Sequence, residues 1–207
     1  MRLLLATLAL ACAACEPAIP ILLWHHVGAP IDPPRFVAQD VFEQQIDRLL
    51  AEGYTPITAS ELDAIEAGVR ASPPRPVALT FDDGYVDFQE HAWPVLEARG
   101  ISATLFVIAA RTATATRFID AQGPYLLWPE LRAMRSEGLE IQSHTVTHRN
   151  LKALEEEDVL RELRDSRAQI EAGTGARVTV VAYPFGGNSP HTQALTAEAG
   201  YTSAHSV

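Results

Sequence analysis

Two segments of this chain carry residues suited to chemistry. One is an apolar run that closes on two adjacent carboxylates, Thr80-Phe81-Asp82-Asp83-Gly84-Tyr85, and the other is a histidine pair spaced i, i+4, His144-Thr145-Val146-Thr147-His148. Neighbouring carboxylates can divide labour. Asp83 can bind a metal ion together with the two imidazoles, while Asp82, beside that ion, takes a proton from an activated water, and hydrolysis needs both in one place. Taken singly, each half is weak. Asp-Asp-Gly after a strand is most often an acidic turn, and histidines at i, i+4 most often share a helical face. The intervening Thr, Val and Thr disfavour a helix and point to a strand end running into a loop. No Glu follows His144, as the helical zinc-protease pattern requires. Together, three ligands with coordination positions to spare describe an open, catalytic metal site.

Two further segments join them: Ala182-Tyr183-Pro184-Phe185-Gly186, and upstream Leu22-Leu23-Trp24-His25-His26-Val27-Gly28. In this order the segments resemble motifs of the polysaccharide deacetylases, the NodB-homology group also called carbohydrate esterase family 4. The upstream segment is similar to the Tyr-His-x-Val opening strand of the branch that includes exopolysaccharide deacetylases. The resemblance runs from about Ile21 to Val207. It implies a distorted (β/α)7 barrel in which Asp83, His144 and His148 bind a divalent metal. Zn²⁺ leads, with Co²⁺, Ni²⁺ and Mn²⁺ open because donor type discriminates poorly among them. It also implies Asp82 as general base and the backbone N–H of Phe185 as an oxyanion donor. The implied substrate is an acetylated amino-sugar polysaccharide such as poly-N-acetylglucosamine, chitin or peptidoglycan, which loses N-acetyl in preference to O-acetyl groups.

Two departures qualify the resemblance. Ala182 stands where many members carry an Arg that orients the catalytic Asp. Many relatives also continue past the point corresponding to Val207 with an Asp/Trp motif and a final strand bearing a His that protonates the leaving amine. The expectation is therefore a minimal form, a truncated reading frame or a fragment. His25, late in the first strand, is the substitute candidate for that acid.

The composition, 207 residues with 47% hydrophobic content, suits one domain with a substantial core. A formal charge of −10, from 16 Lys and Arg against 26 Asp and Glu, argues against nucleic-acid or anionic-membrane surfaces. Residues 1–16 read as a signal peptide, with Arg2, an apolar stretch from Leu3 to Ala11, and small residues after it. Cys12 and Cys15 at its end allow a lipoprotein signal, and a lipid there would be the protein's one contact with a membrane. The expectation is an exported protein, periplasmic or extracellular, whose domain spans 17–207 and is stabilised by packing alone, without disulfides.

Beyond the leader, strand-like and helix-like segments alternate. Strands are expected at Ile21–Val27, Tyr54–Ile57, Val77–Phe81, Ser102–Ile108, Leu139–Ser143, Val178–Tyr183 and Tyr201–Ser206. Helices are expected to open at an Asp40–Glu43 capping box and at Ser60, to end at Gly100 and Gly138, and to run from Glu155 to Glu171. Regular β/α alternation implies a barrel, or a sheet nearly closed into one, with Asp82, Asp83, His144 and Tyr183–Gly186 at the C-terminal strand ends. Tyr85 and Trp24 flank the motif strands and are placed to meet substrate, whereas Trp128 is expected to pack on its own helix. Of His25 and His26, one should face inward, while His91, His191 and His205 carry no motif. Two other functions compete: a non-haem iron oxygenase, since two His and a carboxylate also form that triad, and an inactive carbohydrate-binding relative.

Overall fold

A computed structural model describes residues 18–28, 35–112 and 115–206. The expected leader and both cysteines lie outside the described residues. Along the chain run β1 (Ile21–Trp24), β2 (His26–Val27), β3 (Phe36–Val37), α1 (Gln39–Ala51), β4 (Thr55–Ile57), α2 (Ala59–Glu66) and β5 (Pro76–Phe81). A π-helical turn at Phe88–Ala92 leads into α3 (Trp93–Glu97), then β6 (Thr104–Val107), α4 (Ala109–Thr112), the short pair β7 (Ile119–Asp120) and β8 (Gly123–Pro124), and α5 (Trp128–Ser136). The chain continues with β9 (Glu140–Ser143), α6 (Glu156–Thr174), β10 (Val180–Ala182), α7 (Pro190–Glu198) and β11 (Ser203–His205).

Seven of these strands form one parallel sheet in the order β1-β5-β6-β9-β10-β11, with β4 also paired to β5. All seven coincide with the strands expected from sequence. Apolar, β-branched runs bounded by turns fit a sheet covered on both faces, and β5 is buried from Val77 to Phe81. The distortion has a visible source. Ala78 partners Ile21 on one edge and Ile57 on the other, while Thr80 partners Leu23 and Thr104. Strands β4 and β6 therefore share a single edge of β5, one below the other, and the sheet must splay to admit both. It curls far enough that side chains of β1, β5, β6, β10 and β11 line one cavity of about 270 Å³, although β1 and β11 are not paired among the described residues. The distorted (β/α)7 barrel expected from the alternation and the resemblance is observed as a parallel-strand α/β half-barrel.

Helix starts were read less well than strands. The N-cap of α1 is Ala38 with no side-chain cap, and Asp40 sits in the first turn, where its charge favours the helix dipole without bonding an end group. Helix α2 begins one residue before Ser60. Thr58 Oγ1 accepts from the Glu61 N–H at 3.3 Å, and the Glu61 carboxylate accepts from the Thr58 N–H at 3.0 Å, so the capping box belongs to Thr58. Helix α6 buries Val159, Leu163 and Ile170 as expected, with Leu160 half-buried, and it also buries Glu162.

Thr58 is buried and satisfies two end groups of α2, so Thr58→Ala should cost about 1 kcal/mol of unfolding free energy. Urea titration of the folded domain checks this, and an unchanged midpoint would show that the box contributes nothing.

Candidate active site

Each motif falls where its strand ends. Asp82 and Asp83 follow β5, His144 follows β9, Tyr183 follows β10 and His25 follows β1, so parallel strands deliver all of them to one end of the sheet. The turn after β5 is tight. Asp83 and Gly84 both have positive φ, 74° and 86°, and a Cβ at position 84 would meet Val107 Cγ1 at 3.1 Å, so glycine is required there. Thr145, His148 and Phe185 also have positive φ, 66°, 63° and 59°. For a β-branched threonine this is an outlier held by its surroundings. The Thr145 carbonyl accepts from the Ala109 N–H, its N–H donates to Ser143 Oγ, and its Oγ1 accepts from the His148 N–H.

These backbone turns bring three donor atoms together. His144 Nε2 and His148 Nε2 are 3.1 Å apart, and Asp83 Oδ1 lies 3.7 Å from the first and 3.4 Å from the second. His144 Nδ1 donates to the Ala182 carbonyl at 2.9 Å, which fixes the tautomer and presents the Nε2 lone pair to the cluster. Burial lowers the pKa of both imidazoles, that of His148 to about 3, so both are neutral and free to ligate. Asp83 Oδ1 is buried with no hydrogen-bond partner. A divalent ion held by bonds of about 2.0–2.2 Å in a tetrahedral array spaces its donors about 3.3 Å apart, so this triangle fits one. Ala182, which stands in the place of an expected Arg, thus contributes its carbonyl to the site.

Asp82 sits beside the cluster and outside it. Its Oδ2 is 3.8 Å from His144 Nε2 and 4.0 Å from His25 Nε2, and its buried Oδ1 has no partner. Burial pushes its pKa up to about 7, opposed by the positive charge of Arg35. His25 is partly exposed and is held neutral, its pKa lowered to about 4 first by burial and then by Arg35. Its neighbour His26 is the fully buried one, 1% exposed, stacked between Phe36 and Tyr85 with Nδ1 2.7 Å from Asp87 Oδ2. Phe185 projects from the turn after Tyr183, 62% exposed, its ring centroid 4.7 Å from that of His148.

Three aromatic expectations need correction. Tyr85 is buried, with its hydroxyl bonded to that of Tyr125, and Trp24 is buried among Phe42 and Phe81 with its indole N–H donated to Gln45, so neither faces substrate. Trp24 ends β1 on the face packed against α1, and Tyr85, beyond the positive-φ turn, is bridged to Tyr125. Trp128, the first residue of α5, packs across onto α6 and not onto its own helix as expected, and lies so close over Gly173 that a Cβ there would fall 2.5 Å from the indole. Sequence reasoning missed Arg111, whose charge reaches Asp83, His144 and His148, and Glu162, which holds the loop between the histidines. A lone Glu on the apolar stripe of α6 was the available signal for Glu162.

Residues 70–204 match the profile of the family described as polysaccharide deacetylase. The chain belongs to the polysaccharide deacetylase family. It is 27% identical to YxkH of Bacillus subtilis over 90% of this chain and 63% of that protein. It is also 27% identical to the poly-beta-1,6-N-acetyl-D-glucosamine N-deacetylase of Escherichia coli K12, over 59% of this chain and 20% of that protein. Among solved structures, the Streptococcus pyogenes deacetylase PplD in complex with acetate is similar with a TM-score of 0.79 at 27% identity, covering 88% of this chain and 80% of that one. The chain thus spans less than two thirds of the length of both sequence relatives. Membership in this family does not favour the iron-oxygenase reading, which gave Asp82 no role.

If Asp83, His144 and His148 are the ligands, the protein should carry about one divalent ion per chain, lost in Asp83→Ala and in His144→Ala. Elemental analysis measures this, and equal metal content in wild type and both variants would rule the site out.

Proposed function

We propose that this polysaccharide deacetylase-family chain is a metal-dependent hydrolase that removes N-acetyl groups from an amino-sugar polysaccharide. The observation that carries the proposal is the pairing of a three-donor metal cluster with a separate, unpartnered carboxylate, Asp82, 3.8 Å away. The two jobs of hydrolysis are then assigned to different side chains. The names of the E. coli relative and of a Sinorhizobium fredii chitooligosaccharide deacetylase, 30% identical over 70% of this chain, support an N-acetylglucosamine polymer as substrate.

The bound ion, Zn²⁺ by preference with Co²⁺, Ni²⁺ or Mn²⁺ as alternatives, would polarise the acetamide carbonyl and acidify water. Asp82 takes the proton of the attacking water. Its burial suits that task, since a base poised near 7 binds the proton firmly enough to remove it and still releases it. The tetrahedral oxyanion is met by the Phe185 N–H, which the left-handed turn holds in a fixed direction. As the C–N bond breaks, acetate departs and the sugar nitrogen takes a proton. His25 is the proposed donor, 4.0 Å from Asp82. It is neutral in the resting site, so the proton it hands on is the one Asp82 removed from water, which passes to it when the negative intermediate faces the ring, because an opposite charge favours the imidazolium. The sequence-based leader assigns this chemistry to an exported protein. No helix among the described residues is long and apolar enough to cross a membrane.

Asp82→Asn should retain its metal while turnover of an N-acetylglucosamine oligomer, followed by acetate release, falls about 10²–10⁴-fold. Loss of the metal in that variant would make Asp82 a ligand, and wild-type protein releasing no acetate would overturn the activity. The carboxylate form of Asp82 emerges as pH rises through its pKa, and a bound cation moves that pKa below 7. The acid limb of kcat/KM should therefore lie at or below pH 7 and vanish in Asp82→Asn.

His25→Ala should slow deacetylation at unchanged metal content and remove the basic limb of the kcat–pH profile, which reports the ring with substrate bound. His26→Ala should leave that limb in place, since the ring is stacked in the core. A wild-type profile surviving His25→Ala would instead assign the proton to Asp82.

A further inference from the structure

We infer that Glu162 is a positioning residue for the metal site, which sets the separation of the two histidine ligands without touching the ion. This rests on the metal reading proposed above. Glu162 lies on the face of α6 that buries Val159 and Leu163, where an apolar residue would need no partner. Its side chain is nevertheless a carboxylate with both oxygens engaged. Oε2 accepts from the N–H groups of Val146 and Thr147, each at 2.9 Å, and Oε1 accepts from the Thr147 hydroxyl. Those donors belong to the three-residue bridge between His144 and His148.

The backbone explains the need. Thr145 and His148 are both in left-handed conformation, so the N–H groups between them turn together toward α6 and away from strand partners. Successive N–H groups converging in this way form a concave cradle suited to an anionic oxygen. Left unpaired in the interior they would carry the full cost of lost hydration. With the cradle filled, the loop is fixed from α6 on one side and from α4, through the Ala109 and Ala110 N–H groups, on the other. One turn along α6, Ser166 Oγ accepts from Ser143 Oγ, which itself accepts from the Thr145 N–H, so the same helix supports both ends of the bend. The 3.1 Å between the two Nε2 atoms is the product of this bend.

The test is metal binding rather than turnover. Purified apoprotein is titrated with Zn²⁺ against a chromophoric chelator, and the Co²⁺-substituted protein is read by its visible absorption. Glu162→Ala should weaken Zn²⁺ about 10–100-fold, the usual effect of losing a group that orients a metal ligand, and should change the Co²⁺ spectrum. Glu162→Gln, whose carbonyl still accepts from both N–H groups, should recover most of the affinity and the spectrum. Ile170→Val, which trims a buried side chain elsewhere on α6, should lower Tm and leave both metal readouts unchanged. Wild-type affinity in Glu162→Ala, or a loss in Ile170→Val matching that in Glu162→Ala, overturns the inference. Absence of saturable Zn²⁺ binding by the wild type overturns the metal reading itself, and this inference with it.

Discussion

Two carboxyl groups buried side by side are the condition that the rest of the site answers to. Asp82 and Asp83 follow one another at the end of β5, both nearly inaccessible, each with an Oδ1 that no hydrogen bond reaches. Burial raises both pKa values, and Asp82 raises that of Asp83 further. Such an arrangement is costly unless positive charge offsets it. The positive charges of Arg35 and Arg111 oppose the shifts, and His144 and His148 stand neutral with lone pairs available beside Asp83. A divalent cation held by Asp83 and the two imidazoles would offset the imbalance, with the Nε2 lone pair of His144 already presented by its Nδ1–H bond to Ala182.

The surrounding fold is built to keep that arrangement from relaxing. The turn after β5 is pinned by the Leu126 N–H, which donates to the Gly84 carbonyl, and by a bridge between Tyr85 and Tyr125. The Tyr125 hydroxyl bonds the Tyr85 hydroxyl and the Asp120 carboxylate Oδ2 at 2.7 Å each, and Arg111 joins the same group. The β7–β8 hairpin thus braces the carboxylates from one side while α6 braces the histidine loop from the other. Four non-glycine residues of the motifs, Asp83, Thr145, His148 and Phe185, hold positive φ. Strain of this kind persists only where the environment over-determines the backbone, and here its product is the convergence of the Asp83, His144 and His148 donor atoms.

The adjacent histidines show how a strand break separates roles. β1 ends at Trp24, and His26 begins the short pairing with Phe36. Strict alternation would have sent one imidazole in and the other out. With the break at His25, His26 enters a stack between two aromatic rings and meets Asp87, while His25 stays at the mouth within 4.0 Å of Asp82. One is buried in packing and the other is left partly exposed beside Asp82.

The sequence by itself determined the seven strands, the end of the sheet where the motifs gather and the three residues that form the candidate metal cluster. Those follow from local rules: apolar runs bounded by breakers make strands, and parallel strands expose their C-terminal ends together. It also signalled Asp82 as distinct from Asp83, since one carboxylate in the cluster leaves its neighbour free. Only the tertiary structure decided that Tyr85 and Trp24 turn inward, that Thr58 rather than Ser60 caps α2, and that Glu162 holds the histidine loop. Each of these depends on a partner far away in the chain or on a backbone angle that no residue type announces. Glu162 lies more than a dozen residues beyond the loop it binds, on a helix whose pattern calls for an apolar side chain. Its task exists only because Thr145 and His148 bend the loop, and that bend is set by packing rather than by propensity.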